Sequence, residues 1–171
     1  MTNLALYKKV LEPEVGQPEE VTNGVIAGYT GSKGYSHFPF PGTLTIDLEK
    51  IYPIKCIRFL LWDNLGKGGK LPNSRRYKYI LGISADNYSW EEIYASTEEG
   101  TIGWQIFILT EIKQIRYIRI YGLHNTANER VHIVEIEAYD DMPADPPGYI
   151  GNKKEILFEQ KSLSDSEEVN K

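Results

Sequence analysis

The stretch IRYIRIYGLHNTANERVHIVEIEAY, Ile115–Tyr139, decides the fold. It reads as a strand, a polar turn and a second strand. In the first half Ile118 and Ile120 alternate with Tyr117, Arg119 and Tyr121; in the second, Val134, Ile136 and Ala138 alternate with Glu135, Glu137 and Tyr139. A period of two marks strands with one buried and one wet face. The first set is expected in the core and the second on the wet side. Between the strands, HNTANER offers short polar side chains and no apolar anchor.

The rest of the chain supplies more strands. TLTIDLE (43–49) alternates cleanly, and a Lys50–Pro53 turn leads into IKCIRFLLW (54–62). In that run Ile57, Phe59 and Leu61 share one face, while Cys56, Leu60 and Trp62 make the other partly apolar. A strand apolar on both faces belongs at the centre of a sheet, covered from both sides. YKYILGIS (77–84), WEEIYAS (90–96) and WQIFILT (104–110) follow, with ADNYS (85–89) a turn by composition. Short strands divided by turns, without an amphipathic helix, predict an all-β protein, an antiparallel sandwich or barrel. Two segments stand apart. Residues 21–42 are rich in Gly, Ser, Thr and aromatics and read as a long structured loop, of the kind that often carries function. Residues 63–76, with three glycines and four basic residues, read as another.

With 171 residues and 41% apolar content, one domain with a real core is expected. It should occupy residues 1–141. After that the composition turns to charge and proline, and 142–171 reads as a disordered extension or as an arm whose Ile156–Phe158 cluster docks on a neighbouring protein. A formal charge of −5 argues against nucleic acid, whose binding rests on clustered Lys and Arg. It also runs against a membrane surface, although Lys67, Lys70, Arg75 and Arg76 lie beside Leu65 and Leu71. No signal-peptide pattern or membrane span is seen, and the single Cys56 has no partner for an internal disulfide. The expected location is cytoplasmic.

Catalysis finds little support. His37, His124 and His132 are the histidines; there is no HExxH, no GxSxG and no phosphate loop. His124, Glu129 and Asp63 can be drawn as an acid–base trio, but no positioned nucleophile accompanies them. The expectation is a non-enzyme. Two kinds of recognition remain open. Tyr35, His37, Phe38, Phe40, Arg75, Arg76, His124 and Asn125 could form a sugar platform, with ring faces for CH groups and polar groups for hydroxyls. Tyr29, Tyr35, Phe40, Arg75 and Arg76 could equally anchor a protein partner. Lys33, Asp63, Asn64 and Glu129 complete the candidate set. Two readings compete with these roles. Phe38 and Phe40 could be a packing corner around Pro39, and Asn125, Thr126 and Asn128 could simply bond the turn's own backbone.

The ordered set TIDLEK (45–50), IRFLLWD (57–63), YKYILGISADNYSW (77–90), RYIRI (116–120) and EIEAY (135–139) resembles the discoidin, or coagulation factor 5/8 type C, domain family of the galactose-binding-like superfamily. LLWD (60–63), GWQ (103–105) and GLHNTANE (122–129) are similar to the variant found in BTB-Kelch-type intracellular proteins. Asn87 stands where the family's turn glycine is usual, and the terminal cysteine pair of secreted members is absent. The resemblance implies an antiparallel jelly-roll β-sandwich with loops 27–41, 63–76 and 122–131 at one end. It implies protein recognition or scaffolding in an intracellular assembly, or else binding of a galactose-type glycan. No cofactor is expected beyond the structural calcium that some superfamily members hold; by position its candidate ligands are Asn23, Thr30 and Glu135.

Overall fold

The computed structural model describes residues 1–63 and 75–158. Its strands are β1 (Lys9–Val10), β2 (Ser36–Pro39), β3 (Gly42–Leu61), β4 (Tyr77–Ser84), β5 (Glu91–Ala95), β6 (Trp104–Asn125), β7 (Arg130–Tyr139) and β8 (Gly151–Ile156), with a short 3-10 helix at Pro18–Thr22. Two strands are longer than expected. The Lys50–Pro53 turn is a bend inside β3, and β6 runs through both of the strands read between 104 and 121. The bend lies where the β3–β6 register shifts between Asp47 and Tyr52, with Glu49 at φ 74°.

These two bent strands build the sandwich. The first half of β3 pairs with the second half of β6, to which β4 and then β5 add; β1 joins β3 from the other side. We call this sheet I. The second half of β3 pairs with the first half of β6 and with β7, to which β2 adds; β8 lies along β6. This is sheet II. All pairings are antiparallel except β6–β8, and the fold is a β-sandwich.

Between the sheets lies the main core, including Leu44, Ile46, Ile57, Phe59, Leu61, Tyr79, Leu81, Phe107, Ile118, Ile120 and Ile136, all with almost no exposure. Burying a side chain of this size contributes about 1.5–3 kcal/mol, and trimming Phe59 to Ala should cost about 3–5 kcal/mol. On the other side of sheet II, Cys56, Leu60, Trp62, Trp104 and Val134 form a second cluster beneath Tyr29, Tyr35 and Tyr139. The two-faced strand at 54–62 is therefore central, between β6 and β7, as its pattern predicts.

Strand β7 departs from its expected alternation. Val131, Ile133, Ile136 and Ala138 face the main core, but Val134 faces the second cluster. The cause is a register shift opposite Leu60–Leu61, where Leu60 pairs with Glu135 and Leu61 with Ile133. The extra residue of such a bulge flips the side-chain sequence. Glu135 and Glu137, read as wet, are buried too, Glu135 beside Gly24 and Glu137 against Arg58 and Tyr139.

Packing does not stop at the expected boundary near Asp141. The chain continues into β8, whose Ile156 joins the main core and whose Phe158 packs against it. The junction is backbone against backbone. A Cβ on Gly151 would fall 1.9 Å from the Trp104 carbonyl oxygen, and one on Gly103 2.4 Å from that of Ile150. Residues 159–171 lie outside the described residues.

Candidate functional site

Three loops meet at one end of the sandwich. The Trp62 indole N–H donates to the Thr30 carbonyl (2.9 Å), the Thr126 amide to the Arg76 carbonyl (3.0 Å) and the Phe40 amide to the Glu129 carbonyl (3.2 Å). Pairing of β2 with β7 sets His37 opposite His132 and Pro39 opposite Arg130. A concavity of about 650 Å³ opens here, lined by Pro39, Phe40, Asn128, Glu129 and Arg130. The Phe40 ring meets His124 edge-on at 5.7 Å. Arg130 Nε donates to His37 Nδ1 at 2.7 Å, which fixes both side chains and requires the imidazole to be neutral. Burial and the Arg130 charge hold the His37 pKa below its usual value.

Behind the concavity lies a buried nest. Tyr35 packs on Trp62 and His132 (5.7 and 5.5 Å), and the Arg75 guanidinium sits 4.5 Å from the centre of the Trp62 ring. The Tyr29 hydroxyl donates to Asp63 Oδ1 (3.1 Å), and the Tyr77 hydroxyl to the Trp62 carbonyl (2.9 Å). Burial, then the charges of Arg75, His37 and Arg130, push His132 down to about 4. Two guanidinium groups, of Arg75 and Arg130, and two carboxylates, of Asp63 and Glu129, thus stand at this end beside the imidazoles.

The structure gathers some of the candidates and not others. His37, Phe40, His124 and Glu129 surround the concavity. Tyr29, Tyr35, Asp63 and Arg75 belong to the nest, largely turned inward. Lys33 is exposed on the first loop. Phe38 is a correction: it is fully buried in the core, because pairing with Val131 places it on the inner face of β2. Asn125 is another, buried and engaged by the turn. Its Nδ2 donates to Asn128 Oδ1 and to the Arg130 carbonyl, and its Oδ1 accepts from the Ala127 amide. Arg76 is a third, fastened to the Glu99 and Gly100 carbonyls. Asn64 and the Leu65–Leu71 stretch lie outside the described residues. Sequence reasoning did not single out Arg130, Trp62, Tyr77 and His132; for Arg130 and His132 the signal was the pairing register of β2 with β7, which composition does not carry, whereas Asn128 bonds the turn as one of the two readings had it.

The acid–base trio does not assemble. His124 lies exposed on Phe40, whereas Asp63 is buried under Tyr29. Among the described residues no three His, Cys, Asp or Glu side chains gather as metal ligands. Of the calcium candidates, Glu135 lies beside Gly24, the residue after Asn23. Thr30 Oγ1 accepts from the Ser32 and Lys33 amides, and Asn23 is engaged by Glu20 and the Val25 amide. Glu135 alone has the look of a ligand. It is fully buried, and neither of its oxygens completes a hydrogen bond among the described residues. Burial, then the Glu137 charge, raises its pKa to about 9, against the slight pull of the Gly24 and Ile136 amides.

The β-sandwich carries loop-borne aromatic and charged groups at one end, as a binding module does. The family model for F5/8 type C domains matches residues 12–136, and the chain belongs to that family. Among curated relatives it is similar to mouse BTB/POZ domain-containing protein 9, with 30% identity over 166 residues, covering 96% of this chain and 24% of the relative. The human protein of that name is 33% identical over 138 residues, covering 80% and 21%. The chain thus spans about a quarter of the length of the curated relatives it matches, and the mouse alignment is long enough to take in β8. Among solved structures, chitosan-binding module 1 of a Paenibacillus sp. IK-5 chitosanase/glucanase superposes with a TM-score of 0.60 at 16% identity, covering 81% of this chain and 99% of that one. CpGH89CBM32-6 of Clostridium perfringens gives 0.52 at 22%, covering 81% and 98%. No helix among the described residues is long and apolar enough to cross a membrane.

Proposed function

We propose that this domain is a non-catalytic recognition module that joins proteins in an intracellular assembly through its loop end. The supporting observation is the concavity at Phe40, Asn128, Glu129 and Arg130. It presents a ring face, a carboxylate and a guanidinium on hairpins fixed by backbone pairing. Aromatic and arginine anchors of this kind, held rigid beforehand, are what protein interfaces use. The match to BTB/POZ domain-containing protein 9 over most of the chain supports a module of a larger multidomain protein and so a protein partner. The test is affinity capture from cytosol with the wild-type domain and with Phe40→Ala and Glu129→Ala. A defined partner lost in both variants is expected, with melting unchanged in Glu129→Ala and lowered but still cooperative in Phe40→Ala, whose ring also packs on the core; capture that ignores both would overturn the reading. The same groups favour a second reading. A ring flanked by Arg130, Glu129 and His124 also suits a sugar, and glycan-array binding abolished by Phe40→Ala would replace the first reading.

A further inference from the structure

The outer face of sheet I carries a second constellation, lined by none of the residues of the loop-end concavity. Strand pairing sets one row of residues across it: Thr45 of β3, Arg119 of β6, Gly82 of β4 and Glu92 of β5. The next row carries Thr43, Tyr121 and Ile80. Gly82 stands between Arg119 and Glu92, whose backbones are roughly 10 Å apart across two strand spacings, and its missing side chain lets the Trp90 ring and Arg119 Nε lie close over it, 3.4 and 3.9 Å from where a Cβ would stand. A cavity of about 230 Å³ opens there, lined by Thr43, Ile80, Gly82, Glu92, Arg119 and Tyr121.

Arg119 is held but not engaged. Its guanidinium carbon lies 3.9 Å from the centre of the Trp90 ring. Stacking fixes the plane of the fork. Yet among the described residues the Arg119 side chain makes no hydrogen bond and no ion pair, and the same holds for Glu92 and the Tyr121 hydroxyl. Neighbouring charges are paired off: Arg116 with Asp47, Lys113 with Glu91, Lys78 with Glu98. A preorganised donor fork, a free acceptor and an amphoteric hydroxyl therefore line one hollow.

The geometry points to a second binding site here, one that takes a neutral polyhydroxylated ring, a sugar bearing vicinal hydroxyls. The fork donates to two adjacent hydroxyl oxygens, and a ring hydroxyl donates to the Glu92 carboxylate. The Tyr121 hydroxyl accepts or donates as needed, and its ring offers a face for CH groups. A simple anion would satisfy Arg119 but lie near an unpaired Glu92; a ligand that both accepts and donates satisfies both. The volume, below that of pockets for drug-sized ligands, suits a single ring.

The test is a nitrogen–proton NMR titration of the whole chain with methyl glucoside, methyl galactoside, methyl mannoside and, separately, sodium acetate. At least one glycoside should shift the amides of Thr43, Ile80, Gly82, Arg119 and Tyr121. Arg119→Gln and Glu92→Gln should each weaken that binding about tenfold or more, the scale of losing a charged hydrogen bond, with melting unchanged. No glycoside response, or shifts confined to Phe40 and Asn128–Arg130, would overturn the proposal. So would a response to acetate alone, which would mark an anion site. The loop-end reading fails separately: partner capture depends on Phe40 and is indifferent to Arg119→Gln.

Discussion

Each sheet carries an arginine stacked on a tryptophan on its outer side, and the two pairs have opposite fates. On sheet II the Arg58 guanidinium lies 5.4 Å from the Trp104 ring and 5.1 Å from that of Tyr139. Its Nε donates to Glu137 Oε1 (2.6 Å), and a terminal nitrogen donates to the Ala144 carbonyl (2.8 Å). The segment after Asp141 covers it, and both side chains of the ion pair are 9% exposed. On sheet I Arg119, half-buried, stacks on Trp90, and among the described residues its donors are unengaged. The same pair of residues is a structural bolt where the chain covers it and a free recognition group where the chain leaves it bare. Composition alone does not separate the two.

The sharpest way to break this contrast is to remove each arginine. Arg58→Ala leaves Glu137 buried without its cation and should cost about 3–5 kcal/mol in denaturant unfolding. Arg119→Ala should stay within about 0.5 kcal/mol of wild type. Equal losses would mean that sheet I is as closed as sheet II.

Glu135 is the exception on the covered side, buried without a partner. Its folded pKa, about 9, lies above the ordinary carboxylate value of 4.5. The folded state therefore holds a proton that the unfolded state has released, and stability falls as pH rises from about 4.5 towards 9. Glu135→Gln should flatten that decline and stabilise the protein at pH 7 by about 1–3 kcal/mol. A melting midpoint unchanged by calcium or chelator is expected alongside. A calcium-dependent rise lost in Glu135→Gln would make this carboxylate a ligand instead.

Gly151→Val tests the cover itself. Its side chain would collide with the Trp104 backbone, at a φ of 154° besides, and should cost about 1–3 kcal/mol. Cys56 lies in the cluster beneath this segment, and burial raises its thiol pKa to about 11. Thiol-reagent labelling should be slow in the wild type and clearly faster in the variant; equal rates would show that β8 does not seal that face. The smallest effect belongs to the loop end. With His132 down at about 4, its imidazole NMR signals should not titrate between pH 6 and 8.

Much of this was readable in the sequence where burial alone sets the pattern. The two-faced run 54–62 announced a central strand, and Ile118 and Ile120 announced the core. Reading failed where pairing resets the pattern. The bulge opposite Leu60–Leu61 moved Val134 to the second cluster, and Glu135 is buried beside Gly24 of the first loop. The run GNKKEI of β8 shows no alternation, because it is held by a backbone ladder to Trp104–Leu109 and buries only its last residue. At the site the residue types were right and their directions were not. Phe38 and Asn125 carry good binding chemistry but face inward, while Arg119, read correctly as wet, is notable only because nothing engages it.

Strand β8 has a kinetic meaning as well. Its ladder joins one neighbour on one side, and four of its six residues are exposed. Such a unit opens and closes far more often than the sandwich unfolds. Its amides should exchange with solvent ahead of those of β3 and β6. The protein would then have two clocks: a slow one for the sandwich, and a fast one for the strand that decides how long Arg58, Trp104 and Cys56 stay dry.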